Sequence, residues 1–132
     1  MHIYLMDVVD AGVSNSFDWV LILVLGGTIL VEAIVMLLMK YNNLKKAALD
    51  SLIVNVASLG VGFILIRYLS SLFNSYTFSH LLMLMLVTII VETGILYILN
   101  RTKPFINTLA VSVLMNVVSY ALFYLFIHFM NR

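Results

Sequence analysis

Residues 28–58 read TILVEAIVMLLMKYNNLKKAALDSLIVNVAS, and residues 88–119 read TIIVETGILYILNRTKPFINTLAVSVLMNVVS. Thr28-Ile-Leu-Val-Glu32 returns sixty residues later as Thr88-Ile-Ile-Val-Glu92. Ser51, Asn55 and Ser58 return at an offset of sixty-one as Ser112, Asn116 and Ser119. Apolar identities between hydrophobic helices arise easily by chance, whereas an ordered recurrence of Thr, Glu, Ser, Asn and Ser does not. Self-similarity on this scale points to duplication of one helix–loop–helix unit.

Around each copy the sequence is apolar enough for lipid to be its solvent. Of the 132 residues 64% are hydrophobic and 10% charged, against roughly half and about a quarter in a soluble domain. A spanning helix needs about 20 mostly apolar residues to cross a hydrocarbon layer ~30 Å thick. Four stretches meet that length: Trp19 to Met39, Ala47 to Leu69, His80 to Leu99 and Pro104 to Met130. Ser16 and Asp18 are good caps for the first, and Trp19 stands where an interfacial aromatic belongs. Pro104 suits the first turn of the last, where its missing N–H removes nothing. The expected fold is an all-α integral membrane protein with four transmembrane helices. Its two hairpins, about 19–69 and 80–130, form an up-down-up-down bundle in a single membrane domain covering residues 1–132. Because both copies run in the same direction, the halves form a parallel repeat, related by an axis along the membrane normal.

Charge sets the expected orientation. Lys40, Lys45, Lys46, Arg101 and Lys103 lie on the first and third connections; the other side has Arg67 and Arg132 with Asp7, Asp10 and Asp18. The positive-inside rule then puts loops 40–46 and 100–103 in the cytoplasm and both termini outside, in a multi-pass protein of the bacterial inner membrane. The N-terminal stretch has no Lys or Arg before its first apolar run, unlike a cleaved signal peptide, and Met1 to Val9 could lie along the membrane surface.

Several function classes drop out. With no cysteine there is no disulfide, thiolate metal site or cysteine nucleophile. A net charge of +1 gives no electrostatic pull toward nucleic acid. His2, His80 and His128 lack metal-ligand spacing, and no cofactor is expected. The connecting loops are too short to house a soluble active site, and a membrane enzyme would need a nucleophile or metal set that two Glu and two Asn do not supply.

The intramembrane polar residues are the candidate site. Thr28 and Glu32 are four apart, as are Thr88 and Glu92, so each pair shares a helix face. Ser51, Asn55 and Ser58 form one stripe, and Ser112, Asn116 and Ser119 copy it. Glu32 lies eight residues before Lys40 and Asn55 nine after Lys46, each about 12 Å from the helix end; thirteen residues after Lys103, Asn116 falls deeper if Pro104 starts the helix. An acid at the helix centre costs about 2.5–3.5 kcal/mol on insertion scales, so each Glu must be protonated or find donors. The expected arrangement is a ring of Glu32, Asn55, Glu92 and Asn116 facing the bundle centre. Thr28, Ser51, Ser58, Thr88, Ser112 and Ser119 are expected to add hydrogen bonds to it. In lipid such a ring can be hydrogen-bonding glue between helices, or a site that takes up a proton or a cation.

Asp50 has no counterpart in the second copy. It is expected in the first turn of its helix, near interfacial water, with Lys46 as partner, and is a secondary candidate. Tyr120, Tyr124 and His128 are spaced for an aromatic stripe on the last helix, and the methionines serve as gap-fillers. Gly26 and Gly27, and Gly60 and Gly62 with Ala57 and Ser58, are small enough for close backbone approach within the bundle or between protomers. The expected role is a non-enzymatic subunit or scaffold of a larger membrane assembly, in contact with lipid and with another membrane protein or a second copy. The alternative is a small oligomeric transporter, or a proton- or cation-responsive protein using Glu32 and Glu92.

Overall fold

The computed structural model describes residues 19–68 and 78–130. They form four helices: α1 (Trp19–Leu38), α2 (Leu44–Tyr68), α3 (Phe78–Leu99) and α4 (Phe105–Met130). No strand occurs among the described residues. The expected surface segment Met1 to Val9, His2, the N-terminal aspartates, Ser16 and most of the stretch between α2 and α3 lie outside them.

Three helices, α2, α3 and α4, contain stretches long and apolar enough to cross a membrane; the corresponding stretch of α1, Ile22–Leu38, is shorter. Helix α2 starts at Leu44, three residues before the expected Ala47, because Asn43 caps it. Its Oδ1 accepts from the Lys46 N–H at 3.0 Å and its carbonyl from the Ala47 N–H at 2.8 Å.

The two tight connections are built differently. At the end of α1, Lys40 adopts a left-handed backbone (φ 53°). Its N–H reaches Leu37 O at 2.9 Å, and the Tyr41 N–H reaches Met36 O at 2.8 Å. This is a Schellman closure, with Met36 and Tyr41 packed in the same cluster, and it satisfies carbonyls the helix end would leave open. The end of α3 instead turns through Lys103 N–H to Asn100 O at 2.9 Å, and Pro104 then accepts from Asn107 and Thr108. The two connections have the same length, residues 39–43 and 100–104, and the extra residue of the second hairpin lies in α3, which runs seven residues past Glu92 where α1 runs six past Glu32.

Each helix packs chiefly on two others, in the cyclic order α1, α2, α3, α4. The core is Met36, Ala47, Val54, Leu96, Val111 and Met115, each no more than 1% exposed, with Ala33, Val35 and Tyr41 at its margin. It occupies one half of the structure. All buried described side chains fall within residues 32–55 and 89–119, the half next to the two tight connections. In the other half no described side chain is buried. Outward positions are apolar along the helices, Leu23, Leu30, Leu86, Ile90 and Ile98 among them. Exposed apolar surface on this scale is foreign to a monomer in water.

A Cβ built on Gly26, Gly27, Gly60 or Gly62 would meet nothing within 4 Å. The expected close approach of backbones at these glycines is therefore not made among the described residues. They lie toward the half without a core, where the helices have no tight neighbour.

Candidate functional site

In the first hairpin, Glu32 on α1 is 1% exposed and Asn55 on α2 is 7% exposed. Asn55 Nδ2 donates to Glu32 Oε2, and Ser51 Oγ donates to the same oxygen at 3.1 Å. Both donors also reach a backbone carbonyl, one on α2 and one on α1. Asn55 also reaches Ser51 O at 2.9 Å, and Ser51 also reaches Ile29 O at 3.0 Å on α1.

The second hairpin repeats this chemistry at corresponding positions. Glu92 on α3 is fully buried, and Asn116 Nδ2 donates to its Oε2 at 2.6 Å and to Ser112 O at 3.0 Å. Ser112 Oγ reaches Ile89 O at 3.3 Å, as Ser51 reaches Ile29. Asn116 therefore pairs directly with Glu92 rather than lying deeper, because the extra residue is taken up at the end of α3.

The halves then diverge. Ser51 donates to the carboxylate of its own hairpin, whereas Ser112 does not reach Glu92. The second donor to Glu92 comes from the other hairpin: Ser58 Oγ on α2 reaches Glu92 Oε1 at 3.0 Å. Ser58 and Ser119 each also donate to the Asn carbonyl three residues before, at 3.2 Å. Each carboxylate thus receives two side-chain donors. One of the four bonds, Ser58 to Glu92, crosses between hairpins and makes the two clamps one network.

The expected support from Thr28 and Thr88 is not realised. Thr28 Oγ1 donates to Val24 O at 2.9 Å and Thr88 Oγ1 to Leu84 O at 2.8 Å. A threonine hydroxyl inside a helix finds the carbonyl one turn back without any change of neighbour, and that local bond wins over the carboxylate. Thr88 also meets Tyr120 OH at 3.1 Å, which ties the first member of the aromatic stripe on α4 to α3. Its other members stack on each other, Tyr124 and His128 with ring centroids 6.4 Å apart.

Neither carboxylate has a cationic partner among the described residues, where the one ion pair is Lys46 to Asp50. Glu32 and Glu92 are held by neutral donors alone. Both donors to Glu32 fall on Oε2, so Oε1 receives none. Two buried side-chain atoms are without a partner among the described residues, Asn116 Oδ1 and Thr93 Oγ1. Thr93 follows Glu92 where Ala33 follows Glu32, so the first hairpin has no corresponding hydroxyl.

A second polar cluster sits under the tight connections, centred on Asp50. This residue is 1% exposed and lies in the second turn of α2, since the helix starts earlier than expected; it is not at the wet helix end. Asn42 Nδ2 at 2.7 Å and Asn100 Nδ2 at 2.8 Å donate to its Oδ2, and Lys46 Nζ lies 3.1 Å from its Oδ1. Lys103 Nζ closes the group by donating to Asn42 Oδ1 at 2.9 Å while lying 3.9 Å from the Tyr41 ring centre. Tyr41 OH pairs with Thr108 Oγ1 at 2.8 Å. The expected Lys46 partner is present, but three groups from the two connections share the same carboxylate. Burial raises the Tyr41 phenol above its ordinary pKa of 10 against the opposing pull of the Thr108 bond, and burial followed by Lys46 lowers Lys103.

No sequence pattern marks Asn42, Asn100 or Tyr41, because polar and aromatic residues in a short basic loop read as solvated. Thr108 does carry a signal. It lies one turn before Ser112 and extends the stripe through Asn116 and Ser119 by a further position. No family model matches the chain, and no curated protein or solved structure is significantly similar to it.

Proposed function

We propose that this chain is a four-span integral membrane protein, an up-down-up-down bundle of two duplicated hairpins, that serves as a non-enzymatic subunit or scaffold of a larger membrane assembly. The shared bonds of Asn55 and Asn116, and of Ser51 and Ser112, support the duplication. The observation that carries the role is the division of the helices into two halves. Core and polar clamps are confined to one half, while the other has no buried side chain among those described and turns glycines toward open space. Helices clamped at one end and uncovered at the other offer neighbouring transmembrane helices a surface with small residues, the kind on which helices pack closely in lipid. The Glu–Asn network then acts as glue, fixing how the two hairpins meet.

A second reading is favoured by one feature of the network. Asn116 Oδ1 and Thr93 Oγ1 are buried without a hydrogen-bond partner among the described residues, which pure glue would not leave open. Groups of this kind can take up a proton or hold a small cation, which would make Glu32 and Glu92 the working residues of a proton- or cation-responsive protein.

The deciding experiment is the mass and composition of the tagged protein extracted from its native membrane in mild detergent. A stoichiometric companion protein is expected. A lone monomer or homo-oligomer would overturn the subunit reading and turn attention to ion flux in Glu32 and Glu92 variants.

A further inference from the structure

Five of the seven Lys and Arg residues lie at the two short connections, and the Asp50 cluster joins them. Lys103 reaches back from the second connection to Asn42 of the first, and Lys46 reaches from the start of α2 to Leu99 O at 3.5 Å. Lys40, Lys45, Lys46, Arg101 and Lys103 are thereby gathered at one end of the bundle. Asp50 is the one acid described there, and its carboxylate is taken up by Asn42, Asn100 and Lys46. The collar is therefore positive beyond what its own acid can offset. Lys45 and Arg101 are exposed, and no described side chain accepts from either.

Directly beside these cations the surface is apolar and aromatic. Leu44 is 65% exposed next to Lys45, and Ile106 is 67% exposed just beyond Lys103. Tyr97 and Phe105 flank the second connection as an exposed edge-to-face pair, centroids 5.5 Å apart. A partner that is only acidic would meet the cations and leave this rim bare. An amphiphile with an anionic head and apolar chains satisfies both at once. Interfacial aromatics and clustered Lys/Arg at a helix end are also what headgroup recognition uses.

We propose that the collar of residues 40–46 and 100–103 binds the phosphate headgroup of an anionic phospholipid, with Lys45 and Arg101 facing the phosphate and Leu44, Tyr97, Phe105 and Ile106 against the chains. The inference rests on the reading that the helices span a membrane. It names a defined class of lipid at one end of the protein, beyond general contact with the bilayer.

The test is native mass spectrometry of delipidated full-length protein in neutral detergent, titrated with phosphatidylglycerol or phosphatidylcholine of identical chains. Phosphatidylglycerol should bind at several-fold lower concentration. Each cation removed should weaken it by about fivefold, so the double variant Lys45→Gln with Arg101→Gln should lose most of the preference. Circular dichroism checks that this variant remains helical. Equal binding of the two lipids, or an undiminished preference in the double variant, overturns the proposal. So does displacement of phosphatidylglycerol by glycerol phosphate at the concentration of the lipid itself, which would make the site one for a soluble phosphate. The spanning reading is checked separately, by amide exchange of the protein in phosphatidylcholine nanodiscs. Exposed, exchanging helices there would sink that reading, whereas protected helices without lipid preference would sink the headgroup site alone.

Discussion

Glu92 is the residue at which glue is most directly measured, because its two bonds join three helices. Replacing it with Leu removes acceptors for Ser58 at 3.0 Å and Asn116 at 2.6 Å. Neither donor is orphaned: Ser58 keeps Asn55 O, and Asn116 keeps Ser112 O. The penalty is then two interhelical hydrogen bonds at about 0.6 kcal/mol each, roughly 1.2 kcal/mol, without the larger cost of a buried unpaired donor. On the proposed membrane-spanning reading insertion energy cancels largely, since the side chain would be in lipid in both the packed and the unpacked state. Glu92→Gln should cost less than half as much. Its amide oxygen still accepts from Asn116, and its amide nitrogen can donate to Ser58, whose hydroxyl keeps its own bond to Asn55 O. The assay is reversible unfolding in bicelles, followed by circular dichroism, with wild type, Glu92→Gln and Glu92→Leu measured together. Equal destabilisation by Gln and Leu would refute the reasoning, since hydrogen-bonding capacity would then be irrelevant. A Leu variant more stable than wild type would refute it as well.

Asp50→Ala should cost about 2 kcal/mol, because three donors from the two tight connections lose their common acceptor in a buried position, and Asp50→Asn should recover part of it; thermal unfolding in detergent measures both, and a neutral Ala variant would show the cluster to be incidental. Tyr41 contributes a pH dependence of known sign. Its folded-state pKa is raised, so its contribution is fully present below the unfolded value of 10 and is lost as pH rises through the folded value. Stability should therefore fall above pH 10 more steeply in wild type than in Tyr41→Phe, and parallel curves would count against a buried phenol. A cysteine at the exposed Asn43 should be shielded from an impermeant thiol reagent in intact cells and react after lysis; labelling in intact cells would invert the expected orientation.

Much of the site was legible because polar residues in an apolar sequence are few and helical spacing is rigid. Glu32, Asn55, Glu92 and Asn116 are among the few strongly polar residues of hydrophobic helices, so burial and mutual pairing could be expected from i, i+4 geometry and the cost of an unpaired polar group. The threonines were misjudged for a physical reason. Shared face and spacing make Thr28 a neighbour of Glu32, but they say nothing of the competing carbonyl at Val24, which the helix itself supplies.

Local sequence determined the helices, their apolar exteriors, the polar stripes and the placement of five cations on two short connections. These follow from composition, period and length, all properties of adjacent residues. Tertiary structure decided which hairpin supplies the second donor to Glu92, since Ser58 and Ser119 each follow an Asn by three residues and both donate to its carbonyl, yet only Ser58 reaches a carboxylate. It also decided that Asp50 is buried and shared between Asn42 and Asn100, which lie fifty-eight residues apart and meet at 3.2 Å. And it left the glycines of α1 and α2 without neighbours, confining the core to one half. Contacts between distant segments depend on how helices pack, and packing is a property of the whole surface rather than of any one stretch.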